Sequence, residues 1–301
     1  MADTGLIIRE GGYAPTMAQR TTLRLGGPVM GEVCLSDPGA ASALPDIARR
    51  LGGRLVCLGA GSNILAGPGP LTLVVVKNTM PAEIGTVAED GQSAVVRASA
   101  SAKLPALVGR AAAWGLSGLA GLSGIPGTVG GSVAMNAGSY GRCIADTLAA
   151  VEVVNGMGEM RRFSRDELRF EYRAMGFPDM HGWWMITAAE FRLVKSDPET
   201  VIDNGRKCLD KKRATQPVTA ASAGCVFKNP SPENPAGKLL DAAGFKGKRL
   251  GGMAFSPMHA NFLVNEGTGT STEALELINE AKHRVFMKFG IILEPEVRIW
   301  V

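Results

Sequence analysis

The sequence predicts an α+β protein made of three packed units, and three observations lead there. At 301 residues the chain is long for one ordinary core. Short apolar runs, rich in valine and bounded by glycine or proline, recur through its first two thirds and read as buried strands. Toward the end stands one long helix pattern with its own start and stop signals, followed by an alternating strand. With 46% hydrophobic and 20% charged residues, the composition supplies both a core and a solvated surface, which argues against disorder.

In the first expected unit, residues 1–78, PGAASALPDIARRLG reads as a short helix. RLVCLG (54–59) and TLVVVK (72–77) read as strands, with GSNIL between them. The second, residues 79–196, alternates the strands SAVVRAS, AVEVVN and WMITAAEFRLV with one helix, KLPALVGRAAAWG, and a glycine-dense loop at 121–141. The polar run KSDPETVIDNGRKCLDKKRATQP marks the next boundary, so the third unit is 197–301. There, in TSTEALELINEAKHRVFMKFG, Thr270 and Glu273 form a capping-box pattern, and Leu275, Ile278, Ala281, Val285 and Phe289 recur at helical spacing. Gly290 stops the helix. In the strand IILEPEVRIWV, Ile292, Glu294, Glu296 and Arg298 share one face.

Several function classes are disfavoured. A net charge of +4, scattered and without aromatic interleaving, does not suggest a nucleic-acid partner, although a small anionic ligand fits. Five cysteines, odd in number and without a Cys-x-x-Cys pair, argue against a disulfide framework or a zinc site. The three histidines are dispersed: His283 reads as a surface residue of the long helix and His259 as a satisfied turn histidine, so neither a metal trio nor a Ser-His-Asp triad is supported. The N-terminus lacks a basic region followed by an apolar one, and a cytoplasmic location is expected. Residues 111–141 carry no charge, yet they are filled with glycine, so neither a membrane span nor collagen fits and no membrane insertion is expected.

Four stretches could carry chemistry. LGAGSNIL (58–65) places Gly59, Gly61, Ser62 and Asn63 after a strand, where successive N–H groups can cradle a pyrophosphate; a tight turn without a ligand is as good a reading. The loop 121–141 holds more glycine than a connection needs, so either a flat cofactor or tight coiling must repay the lost chain entropy, and the cofactor is preferred. Tyr172 and Arg173 in FEYRAMGF, like Glu296 on the last strand, read as structural unless an anion is to be held. Cys225 in SAGCVFKNP is open between a catalytic acid, a metal ligand, half of a disulfide and a small buried side chain.

In this order, TTLRLGGP, LGAGSNIL, GLSGIPGTVGGSVAMNAGSYG, EYR, AGCVFKNP, AGKLLDAAGFKG, HANFLVN and LEPEVRIW resemble the UDP-N-acetylenolpyruvoylglucosamine reductase (MurB) family of peptidoglycan synthesis, over nearly the whole chain. The resemblance implies a two-unit FAD-binding region of the vanillyl-alcohol-oxidase type followed by a C-terminal α+β substrate-binding domain. It implies non-covalent FAD, held by Gly59, Gly61, Ser62 and Asn63 and by Gly124, Ile125, Gly127, Thr128 and Gly131. Hydride is expected to pass from NADPH as co-substrate to FAD and from flavin N5 to C3 of the enolpyruvyl group, with a proton added at C2. Arg173 and Glu296 match the residues that stabilise the developing charge, and Tyr172, Lys228 and Asn229 match substrate-binding positions for the UDP-sugar. The family's usual proton donor is a serine, and Cys225 stands in its place. A thiol with an ordinary pKa of about 8.5 is a better acid than an alcohol and is mostly protonated at neutral pH. Two further departures are Thr215, where a lysine is common, and the short stretch after EYR, which matches the shorter subgroup without an extra tyrosine loop. A monomer is expected. An FAD oxidase of the same superfamily, or a non-catalytic nucleotide-binding relative, stays open as an alternative.

Overall fold

The structure, a computed structural model, describes residues 5–177 and 180–301. It divides into two compact units, neither continuous in sequence: Met1–Tyr13, Met30–Ala60 and Thr72–Lys211 form the first, and Ala14–Val29, Gly61–Leu71 and Lys212–Val301 the second.

Two larger sheets build the first unit. One has the strand order Leu6–Glu10, Val29–Leu35, Leu71–Asn78, Arg54–Cys57, with its last pair parallel. Between its inner strands in sequence lies α1 (Leu44–Leu51), which closes on Gly52 in the left-handed conformation. The other sheet is antiparallel and runs Met160–Ser164, Leu148–Asn155, Trp184–Lys195, Ser93–Ser99, Ile84–Glu89. Its alternating residues serve two faces. Val96, Val151, Val153, Phe191 and Leu193 pack under α2 (Leu104–Ala113) and α3 (Val129–Ala134). The opposite face carries the cross-strand pairs Arg97–Glu152 and Arg162–Glu190, both with two hydrogen bonds, while Val154 and Met185 join Val33, Leu35, Val74 and Val76 in a second core. Apolar residues on one side and paired charges on the other are what a period of two produces in a half-covered sheet.

In the second unit an antiparallel sheet runs Ala221–Cys225, Phe262–Asn265, Met253–Phe255, Arg249–Leu250. Helices α5 (Ala236–Ala242) and α6 (Ser271–Phe289) bury Leu239, Leu240, Leu277, Ile278, Ala281 and Val285 in a core shared with Phe227, Phe245 and Phe255. The capping box of α6 is formed: Thr270 Oγ1 accepts from Glu273 N and the Glu273 carboxylate accepts from Thr270 N. Gly290 ends it at φ +69°. Of the expected apolar stripe, Phe289 is exposed and Leu275 half-buried, while Ala274 and Leu277 lie inside.

Three elements differ from expectation. The polar run before residue 216 is α4 (Pro198–Thr215), a helix without an apolar stripe; Asp197 caps it by accepting from Thr200 N at 2.8 Å, Pro198 presets its first turn, and Asp203–Lys207 pairs at 2.7 Å along it. The glycine loop contains α3, where Gly130 lets the helix lie on Ala100: a Cβ there would sit 2.7 Å from Ala100 Cβ. The final strand is only Arg298–Trp300, because the N–H groups of Glu296 and Val297 bond Val226 O instead of a strand partner. It pairs in parallel with Ile64–Ala66. Among the described residues no helix is long and apolar enough to cross a membrane.

Candidate active site

In the first unit, the glycine loop is sewn to the segment before α2 by backbone bonds: Leu104 N to Gly127 O, Val129 N to Ala102 O, and Gly130 N to Ala100 O, at 2.8–3.0 Å. Thr128 then caps α3, its hydroxyl accepting from Gly131 N at 3.3 Å. The same hydroxyl lies where a Cβ on Gly59 would come, 2.6 Å away, so the end of the Arg54–Cys57 strand and the loop meet backbone to side chain. Ile125 packs against the core beneath, and Gly124 and Gly127 both take positive φ.

Arg173 occupies the tip of a hairpin. Glu171 pairs with Ala174, which leaves Tyr172 and Arg173 as a two-residue loop, and Arg173 sits at φ +61°. A left-handed arginine costs about 1–2 kcal/mol relative to the ordinary regions, so the surroundings must hold it there. They do so by direct bonds. Arg173 Nη2 donates to Gly138 O at 2.8 Å, and the guanidinium stacks 4.8 Å from the Tyr172 ring centroid. Asn136, itself buried and at φ +41°, donates to Glu171 O and accepts from Ala145 N, both at 3.1 Å, which locks the hairpin to the glycine loop.

In the second unit, Gly61 is buried at φ +68°, and a Cβ there would strike Arg20 O at 2.1 Å. Thr22 links this turn to the Cys225 strand: its N–H donates to Gly61 O at 3.1 Å and its hydroxyl to Ser222 O at 2.6 Å. Between Ser222 and Cys225 the ladder contains a bulge, with Gly224 at φ +76°. An inserted residue changes the side to which the next side chain points, so the bulge decides the direction of Cys225. Immediately after it, Val226 O accepts from Glu296 N at 2.7 Å and from Val297 N at 3.3 Å. Asn63 secures the other side of that segment, its Nδ2 donating to Glu296 O at 3.2 Å and its carbonyl accepting from Arg298 N at 2.9 Å. Thus Gly61, Asn63, Cys225 and Glu296, distant in sequence, are joined through a few backbone groups. Cys225 and Glu296 are both half-buried.

Lys228 reaches Glu294 at 3.3 Å through a partly exposed ion pair worth about 0–1 kcal/mol, so its ammonium remains exchangeable for another anion. Asn229 is used internally, Oδ1 accepting from Ala236 N at 3.0 Å at the start of α5. His259 Nδ1 accepts from Asn261 N at 3.2 Å, and burial holds its imidazole below the usual pKa, as a neutral acceptor. Sequence reasoning did not single out Thr22, Asn136 or Asn261, whose amides and hydroxyl bind the backbone rather than a ligand. Their signal was present as the asparagine that opens NAGS, the asparagine third in HANFLVN and the threonine that opens TLRLGGP.

Two domain families match the chain: the FAD binding domain over residues 31–164 and the UDP-N-acetylenolpyruvoylglucosamine reductase C-terminal domain over residues 216–300. An FAD binding domain with that C-terminal domain defines a flavoprotein oxidoreductase. The UDP-N-acetylenolpyruvoylglucosamine reductase of Oleidesulfovibrio alaskensis is 49% identical over 288 residues, 95% of this chain and 96% of its own. That of Nitratidesulfovibrio vulgaris is 47% identical over 285 residues, with the same coverage of 95% and 96%. The crystal structure of UDP-N-acetylenolpyruvylglucosamine reductase (MurB) from Thermus caldophilus superposes with a TM-score of 0.80 at 33% identity, over 98% of this chain and 100% of that one. The chain belongs to the UDP-N-acetylenolpyruvoylglucosamine reductase family.

Three of the expected FAD residues, Gly59, Thr128 and Gly131, adjoin one another in the first unit, an arrangement compatible with such a cofactor. In the first unit the consecutive N–H groups of Gly59 and Ala60 donate to no protein atom among the described residues, an arrangement suited to a phosphate oxygen. Gly131, beside Gly59, is exposed, with only the Thr128 hydroxyl near the place of an added Cβ, so its backbone can approach a ligand closely.

Proposed function

We propose that this chain reduces UDP-N-acetylglucosamine enolpyruvate to UDP-N-acetylmuramate with NADPH as the electron donor, as a cytoplasmic enzyme of peptidoglycan synthesis acting on a UDP-sugar. The chemistry that bound FAD supplies is hydride transfer between a nicotinamide and a carbon acceptor. Backbone at Gly59, Gly61, Ser62 and Asn63, with the loop residues Gly124, Ile125, Gly127, Thr128 and Gly131, binds FAD without a covalent bond. Reduction at C3 of the enolpyruvyl group pushes negative charge into the substrate carboxylate. Arg173 and Glu296 stabilise that charge, and Cys225 delivers the proton to C2. Tyr172, Lys228 and Asn229 contact the substrate.

The observation that carries this reading is the bulge at Gly224, which aims Cys225, together with the Val226 carbonyl that ties Glu296 to it. A thiol in the donor position predicts a division between half-reactions. Cys225→Ser is expected to turn over, whereas Cys225→Ala is expected to keep flavin reduction by NADPH and to lose reoxidation by the enolpyruvyl substrate by about 100-fold or more. Anaerobic stopped-flow spectra of the flavin measure each half separately. Full turnover in Cys225→Ala refutes the donor assignment.

A further inference from the structure

Cys225 and Glu296 lie on separate segments, and one buried side chain organises the point where they join. Asn261, 2% exposed, occupies the turn before the strand Phe262–Asn265. Its carbonyl accepts from Val226 N at 2.8 Å. Its side-chain Oδ1 accepts from Phe227 N at 3.0 Å, and Nδ2 donates to Phe227 O at 2.8 Å. An amide that accepts from and donates to the same residue's backbone acts as a strand partner after the ladder has ended at Cys225. Val226, held in this way, presents its carbonyl to Glu296 N and Val297 N. His259 completes the turn by accepting from Asn261 N.

We propose that Asn261 is a positioning residue for the second half-reaction: by fixing Val226 and Phe227 it sets the direction of Cys225 on one side and the place of Glu296 on the other. The inference rests on the reading of Cys225 as the C2 proton donor. Asparagine is suited to the position because aspartate keeps the acceptor for Phe227 N but sets an oxygen against Phe227 O, and serine is too short to bridge both groups. A shift of about 1 Å in a proton donor costs about 100-fold in rate.

The test uses FAD-loaded Asn261→Asp, alone and in the Cys225→Ala background, with both half-reactions followed anaerobically through the flavin spectrum. Asn261→Asp is expected to reduce its flavin with NADPH within about twofold of the parent and to reoxidise with the enolpyruvyl substrate about 100-fold more slowly. In the Cys225→Ala background the same change is expected to add no more than about tenfold, the share that acts through Glu296, because the thiol it also positions is already gone. Equal slowing of both half-reactions, or the same factor in both backgrounds, marks a purely structural residue and overturns the inference; so does an unimpaired second half-reaction. Should Asn261→Asp fail to fold, Asn261→Ser takes its place, and loss of FAD from both variants also overturns it. Cys225→Ala that reoxidises at full rate refutes the parent reading instead, which separates the two failures.

Discussion

At the scale of single residues, the site uses backbone conformations that side chains normally avoid. Arg173 takes the left-handed region in a turn position where glycine costs nothing. The chain spends stability there to keep a guanidinium that bonds Gly138 O and is proposed to hold the developing charge. Arg173→Gly separates the two demands. It relieves about 1–2 kcal/mol of backbone strain, and it loses the bond to Gly138 O, about 1 kcal/mol, plus some added freedom of the unfolded chain. These nearly cancel. Unfolding in urea is expected to stay within about 1 kcal/mol of the parent, while the rate of flavin reoxidation by substrate falls by at least about 100-fold. A variant that stays active shows that the strain serves only the hairpin.

Among elements, the bulged strand Ala221–Cys225 carries the thiol proposed as proton donor. Gly224 has open space around it, with nothing within 4 Å of an added Cβ, so Gly224→Ala meets no clash and pays only for its φ of +76°. The expected destabilisation is about 1–2 kcal/mol. A chain that escapes this cost by flattening the bulge shifts the register by one residue and turns Cys225 to the other side of the sheet. Accordingly, Gly224→Ala is expected to lose the second half-reaction far more than its modest loss of stability suggests, measured by denaturant midpoint beside anaerobic flavin reoxidation. Preserved reoxidation would mean that the bulge is not what aims the thiol.

For the whole molecule, pH separates the two units. In the first, the Arg97 guanidinium, hydrogen-bonded to Glu152, holds that carboxylate below its ordinary 4.5. A lowered folded pKa stabilises the folded state above the unfolded value, and that contribution is lost as pH falls through the folded one. Glu152→Gln is therefore expected to be less stable than the parent at pH 6, with the gap closing below about pH 4.5. In the second unit, burial lowers His259 from 6.5. The unfolded chain takes up that proton first, so stability begins to fall as pH drops below 6.5 and stops falling once the folded imidazole also protonates. His259→Asn is expected to flatten the curve in this window, and urea unfolding of the whole chain across pH 3–8 checks both. Parallel curves for parent and variants refute the assignments.

What could be read from the sequence was whatever is encoded locally. The Val-rich strands, α2 and the capped α6 are legible because periodicity and end signals lie within a few residues of one another. The motifs also named the residues proposed for the site. Helix α4 escaped because it has no apolar stripe, and α3 because glycine obscures a helix whose stability comes from packing on Ala100. Tertiary structure alone decided the rest. Residues 14–29 and 61–71 leave their sequence neighbours to join 212–301, and Thr22, Asn63 and Asn261 bond to backbone as far as 233 positions away. A hydrogen bond between such distant groups has no local pattern. Sequence by itself determined which side chains are present and which elements they favour; the direction of Cys225, the left-handed Arg173 and the junction at Val226 follow only from closing those long-range contacts, since each is held by partners the chain brings together on folding.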